Sequence, residues 1–177
     1  LVHRLLDENS PVHPLSELIL YDIIAAEEPS TKIPVKIFYG DMSLPDQANI
    51  LASEKPTIIY HLASIVSGEA EEKFNKGWNT NTHGTWRLLE KLREFSEISQ
   101  GEYKPKIIFT SSIAVFGSPF PEKIGDEFLC APQTSYGAQK AITELLISDY
   151  SRKGFIDGIS IRLPTICVRP GKPNLAA

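Results

Sequence analysis

The chain has 177 residues, enough for a single domain with a packed core, and its hydrophobic (42%) and charged (23%) shares match an ordinary globular protein, which excludes a disordered chain. A net charge of −4 excludes a nucleic-acid binder that works through a basic face, although Arg162 or Arg169 could still meet a small anion. No apolar run reaches the roughly 18 residues of a membrane helix, so no membrane partner is expected.

Leu1, Val2, Leu5 and Leu6 recur at helical spacing before Asp7-Glu8-Asn9-Ser10-Pro11, and read as the end of a helix whose start is missing. With His3 and Arg4 inside it, this opening is not a secretory leader, and a cytoplasmic protein is expected. Leu18-Ile19-Leu20-Tyr21 is a strand closed by Asp22, and Val35-Lys36-Ile37-Phe38-Tyr39 a second, closed by Gly40-Asp41. Pro45 opens a short helix over Asp46–Glu54. Thr57 to Leu62 is a third strand. A long helical stretch is expected from about Glu69 to Phe95, with Phe74, Trp78, Thr82, Trp86, Leu89 and Leu92 at steps of three and four. Lys106 to Thr110 is a fourth strand, a Pro- and Gly-rich loop runs to Gln133, and a helix follows from Ser135 to Arg152. Ile159 to Leu163 is a fifth strand, ended by Pro164.

Apolar strands separated by helices predict an α/β protein: one Rossmann-like domain over residues 1–177, with a parallel sheet and helices on both faces. Cys130 and Cys167 stand in no metal-ligand spacing and read as reduced thiols, so no metal is expected.

Tyr136 and Lys140 lie four apart on a predicted helix, where a phenol and an ammonium converge on one face. A nearby cation favours the phenolate, and a tyrosine so tuned exchanges a proton with a substrate oxygen near neutral pH. An ordinary surface pair is the alternative. Ser112 follows the fourth strand, at the carboxyl end of a parallel sheet where ligands bind. There it either donates to a substrate oxygen or caps a turn; the capping role suits Ser111 better. Asp22, at its own strand end, either holds adenosine-ribose hydroxyls, where its charge selects NAD over NADP, or is a turn aspartate that ends the strand. Asp41 could accept from the adenine amine. His61-Leu62-Ala63-Ser64 ends the third strand with small residues that let a cofactor approach the backbone, while His61 itself reads as structural.

Seven runs in order complete the pattern: Asp22; Gly40-Asp41-Met42; His61-Leu62-Ala63; Asn81 to Thr85; Thr110 to Gly117; Ser135 to Lys140; and Arg162 to Thr165. Together they resemble the extended short-chain dehydrogenase/reductase family, also described as NAD-dependent epimerases/dehydratases. The resemblance implies Tyr136 as acid/base, Lys140 lowering its pKa and binding the nicotinamide ribose, and Ser112 polarising the substrate oxygen. It further implies NAD held by Asp22, Asp41, Met42, Leu62, Ala63, Asn81, Pro164 and Thr165, besides Tyr136 and Lys140. A homodimer through the Glu69–Phe95 stretch and the helix of Tyr136 is also implied. Gln139 and the tail Arg169-Pro170-Gly171-Lys172-Pro173-Asn174 resemble the D-erythronate dehydrogenase branch, which oxidises a sugar acid; Arg169 would hold the carboxylate, or serve a salt bridge. The implied substrates are therefore a sugar acid or, for an epimerase or dehydratase, a nucleotide sugar. A non-catalytic Rossmann-like binding protein is the third reading.

The family's first strand and its G-x-x-G-x-x-G turn are not found in the sequence, nor is a C-terminal substrate domain. In the strand order 3-2-1-4-5-6 the missing strand is central, so a gap is expected between the strands ending at Asp22 and His61, and residues 1–177 alone are expected to bind NAD poorly.

Overall fold

The computed structural model describes residues 1–164, in two compact units: residues 1–41 and residues 42 onward. In the first unit, a short helix α1 (Val2–Leu5) precedes two parallel strands, β1 (Leu18–Asp22) and β2 (Val35–Tyr39), in register from Leu18↔Val35 to Asp22↔Tyr39. Burial first, then the charges of Asp41 and Asp22, pushes the Tyr21 phenol up to about 12.

The second unit holds a three-stranded parallel sheet in the order β3 (Ile58–His61), β4 (Lys106–Ser112), β5 (Asp157–Leu163). Its core includes alternate β4 residues, Ile107 and Phe109, with Leu88, Leu89 and Leu92 of α5 (Thr85–Ile98) and Ile147 of α6 (Ser135–Arg152), all buried. The α5 residues recur at three- and four-residue steps and so share one face. Truncating a side chain such as Phe109 to Ala costs about 3–5 kcal/mol. On the other side of the alternation, Ile159 and Ile161 of β5 are exposed. Helix α2 (Pro45–Ser53) packs against α5, with Pro45 in its first turn as expected.

All five expected strands form, and they are parallel within each sheet. Among the described residues β1–β2 and β3–β4–β5 are separate sheets, with no ladder joining the strand of Asp22 to that of His61. The expected long helix from Glu69 to Phe95 is not continuous. It divides into α3 (Ser67–Glu72), α4 (Phe74–Gly77), a π-helical stretch (Trp78–Gly84) and α5. The break falls at Lys73, whose φ of −115° and ψ of 66° are not helical. The widened stretch meets distant parts of the chain: at Gly84 a Cβ would lie 2.6 Å from the Met42 carbonyl oxygen, and Asn81 is buried in bonds described below. No helix among the described residues is long and apolar enough to cross a membrane.

Candidate active site

Strand β4 ends on two serines with different fates. Ser111 Oγ is buried without a partner, whereas Ser112 accepts a 3.1 Å hydrogen bond from Ala114 N–H and so caps the 3₁₀ turn Ile113–Val115. The capping role expected of Ser111 thus belongs to Ser112, because the turn begins one residue later. Helix α6 starts with Thr134 Oγ1 accepting from Gly137 N–H at 3.1 Å, and with Ser135 N–H donating to Glu71 Oε2 at 2.9 Å. A Cβ on Gly137 would collide with the Ala114 carbonyl oxygen, so glycine lets the first turn of α6 close on the serine turn.

That approach brings the phenol of Tyr136 within the influence of the hydroxyls of Ser64 and Ser112. Burial raises the Tyr136 pKa above its ordinary value, and the two hydroxyls pull it back down. Lys140, one turn further along α6, is 3% exposed. Its Nζ donates to the Thr110 carbonyl at 2.8 Å, lying 4.6 Å from the Phe109 ring centroid and 5.5 Å from that of Tyr136. Burial lowers its pKa to about 8. The ammonium therefore sits against the face of the tyrosine ring, and the influences that lower the phenol's pKa come from the serines.

Behind this cluster lies a buried polar network. Asn81 bonds both backbone groups of Ile65, the hydroxyl of Ser64 and the amide of Gln139. Thr85 Oγ1 donates to the Asn81 carbonyl at 2.9 Å and meets His61 Nε2 at 2.8 Å. Having spent its one proton, the Thr85 hydroxyl accepts from His61, which fixes the Nε2–H tautomer. Burial, helped by the charge of Lys140, lowers the His61 pKa to about 4, so the ring is neutral and structural, as the sequence suggests.

The remaining expected positions are divided between the two units. Asp22 and Asp41 lie in the first unit, where exposed Asp22 accepts from Ile24 N–H at 3.1 Å. In the second unit Met42 is buried, Leu62 and Ala63 are exposed just past β3, and Pro164 is exposed just past β5. Thr165 and Arg169 lie outside the described residues. Arg162 does not await an anion: it grips Glu144 through Nε and Nη2, the shortest contact 2.8 Å, donates to Cys130 Sγ at 3.2 Å and stacks 5.0 Å from the Phe116 ring. Sequence reasoning missed Ser64 as a partner of the phenol and the Thr110 carbonyl as the anchor of Lys140. The only signal for Ser64 was its place among the small residues that follow His61.

A parallel α/β unit that gathers a hydroxyl, a phenol and an ammonium at the carboxyl ends of its strands belongs to the class of nucleotide-cofactor folds. The chain is a member of the NAD-dependent epimerase/dehydratase family, whose profile matches residues 1–173. It is 44% identical over its full length to D-erythronate dehydrogenase of Haemophilus influenzae, covering 54% of that protein. To D-erythronate dehydrogenase of Cupriavidus necator it is 43% identical over 92% of the chain, covering 48% of that protein. The chain thus spans about half the length of the curated relatives it matches. A crystal structure described as the nucleoside-diphosphate-sugar epimerase of Agrobacterium tumefaciens superposes on 99% of the chain with a TM-score of 0.93 and 50% identity, over 51% of its own length. The fold also matches UDP-glucose 4-epimerase of Brucella ovis, solved with NAD, at a TM-score of 0.65 over 81% of the chain.

Proposed function

We propose that the protein is an NAD-dependent oxidoreductase that oxidises a hydroxyl of a sugar acid. The observation that carries this is a buried Lys140 whose ammonium is tied to the Thr110 carbonyl of β4 and lies 5.5 Å from the Tyr136 ring, with Ser112 ending the same strand. Ser112 orients the substrate oxygen by hydrogen bonding. Tyr136, as phenolate, accepts the hydroxyl proton while the carbon gives up hydride. Bound NAD supplies the hydride acceptor at nicotinamide C4. The residues present suit its nicotinamide end, since Leu62, Ala63 and Pro164 are exposed just past the carboxyl ends of β3 and β5, in the sheet whose β4 anchors Lys140. Lys140 and Thr165 would complete that end, Asn81 would support it, and Asp22, Asp41 and Met42 would hold adenosine.

The sugar-acid reading draws on the two relatives named D-erythronate dehydrogenase, and gives Arg169 the substrate carboxylate. The relative at 50% identity, described as a nucleoside-diphosphate-sugar epimerase, favours a second reading in which NAD is used transiently on a nucleotide sugar. Incubation with NAD and D-erythronate, following absorbance of NADH, tests the first. Epimerised nucleotide sugar without net NADH supports the second, and neither product with full NAD binding supports a binding protein.

Residues 1–177 contain no G-x-x-G-x-x-G run, so by themselves they are expected to bind NAD weakly and turn over little. Calorimetry giving micromolar affinity for that polypeptide counts against this. A homodimer through the Glu69–Phe95 stretch and α6 draws on exposed Phe74, Trp86 and Leu145. Light scattering giving a monomer would exclude it.

A further inference from the structure

Gln139 precedes Lys140 in α6, is fully buried, and has no part in the chemistry proposed above. Its Oε1 accepts a 2.7 Å hydrogen bond from Asn81 Nδ2. Asn81 uses its whole bonding capacity: Nδ2 also donates to the Ile65 carbonyl at 3.0 Å, while Oδ1 accepts from Ile65 N–H at 2.7 Å and from Ser64 Oγ at 3.1 Å. The Ile65 pair decides which way the Asn81 amide faces. Its remaining hydrogen therefore points at Gln139, which must answer with oxygen. The Gln139 nitrogen is then turned toward Gly77, where it has no partner and where a Cβ would stand 2.8 Å away. Gln139 thus meets the last donor of Asn81 while keeping a buried donor of its own unpaired, and a buried polar atom kept at such a cost calls for a use.

The hydroxyl at the far end of this chain of bonds, that of Ser64, is one of the two whose influence reaches the Tyr136 phenol. We infer that Gln139 is a positioning residue: through Asn81 it locks the Ser64–Ile65 turn against the phenol of Tyr136. Its role in catalysis rests on Tyr136 being the acid/base, and the test separates the two ideas.

Gln139→Met, which lacks an acceptor, is compared with Gln139→Glu, which keeps an acceptor oxygen, in the intact protein. Hydrogen exchange at the Ile65 amide, read by NMR, reports on the clamp without cofactor or turnover. In Gln139→Met it should quicken about tenfold, as for one weakened hydrogen bond, while β4 amides keep their rates. Gln139→Glu should restore slow exchange. With NAD and D-erythronate, kcat should fall in Gln139→Met, because a loosened Ser64–Ile65 turn lets the phenol of Tyr136 drift from its reacting position, and KM for NAD should stay unchanged. Unchanged Ile65 exchange, or equal acceleration at Ile65 and across β4, overturns the proposal. Full turnover in Tyr136→Phe instead sinks the acid/base reading, and the Ile65 rates still decide whether the clamp exists.

Discussion

Lys140 Nζ donates a 2.8 Å hydrogen bond to the backbone carbonyl of Thr110, two residues before Ser112. The cation is thereby tied to the strand that carries the serine, at the expense of removing it from water.

That expense can be read as a function of pH. The folded-state pKa of Lys140, about 8, lies below its ordinary 10.5, so the penalty is whole below pH 8 and is relieved as pH climbs from 8 to 10.5. Lys140→Met should therefore be more stable than the parent at pH 7, by up to about 3 kcal/mol. Urea unfolding at pH 7 and pH 10 should find the difference shrinking at the higher pH, alongside lost turnover.

Because burial raises the Tyr136 pKa, oxidation should speed up as pH rises above neutral, where more phenolate forms. Tyr136→Phe should cost about 10²–10⁴-fold in kcat. Ser112→Ala should cost about 10²-fold, as for loss of one oxyanion-type donor. Ser64→Ala, which removes a bond to Asn81 and leaves Ser112 in place, should cost less than Ser112→Ala. Steady-state rates with NAD across the pH range check all three.

His61 gives an acid-side signature. Its folded pKa of about 4 is below the ordinary 6.5, so its contribution is present above pH 6.5 and is lost as pH falls toward 4. Denaturation curves should fall by up to about 3 kcal/mol over that window from this residue, and His61→Gln should flatten the slope.

Gly137→Ala drives a methyl into the Ala114 carbonyl. Overpacking of this kind costs about 1–3 kcal/mol, so the melting temperature should drop. Turnover should drop further than stability accounts for, since the methyl prises Tyr136 from Ser112 and small misplacements cost on the order of 10²-fold.

The strands and α6 could be read in advance, because apolar runs closed by Asp22, Gly40 and Pro164 carry their own punctuation. The division of the long helix could not. Phe74, Trp78, Thr82 and Trp86 keep the same spacing whether the turn is α or π, and what the widened stretch meets lies elsewhere in the chain, at Met42, Ile65 and Gln139. The trio Ser112, Tyr136 and Lys140 was visible because a helix puts positions four apart on one face. Which atom Lys140 would reach was not, since a flexible four-carbon stem goes where a carbonyl awaits it. Arg162 was readable as a cation but not as a satisfied one, because its partner Glu144 is 18 positions back on α6.

Within the described residues β3 ladders only with β4. Its other rim thus carries an unclaimed row of amides and carbonyls, the kind of rim onto which a further strand readily docks. Concentrated preparations of residues 1–177 should for that reason form end-growing, thioflavin-positive assemblies, and a short peptide able to cap that rim should suppress them.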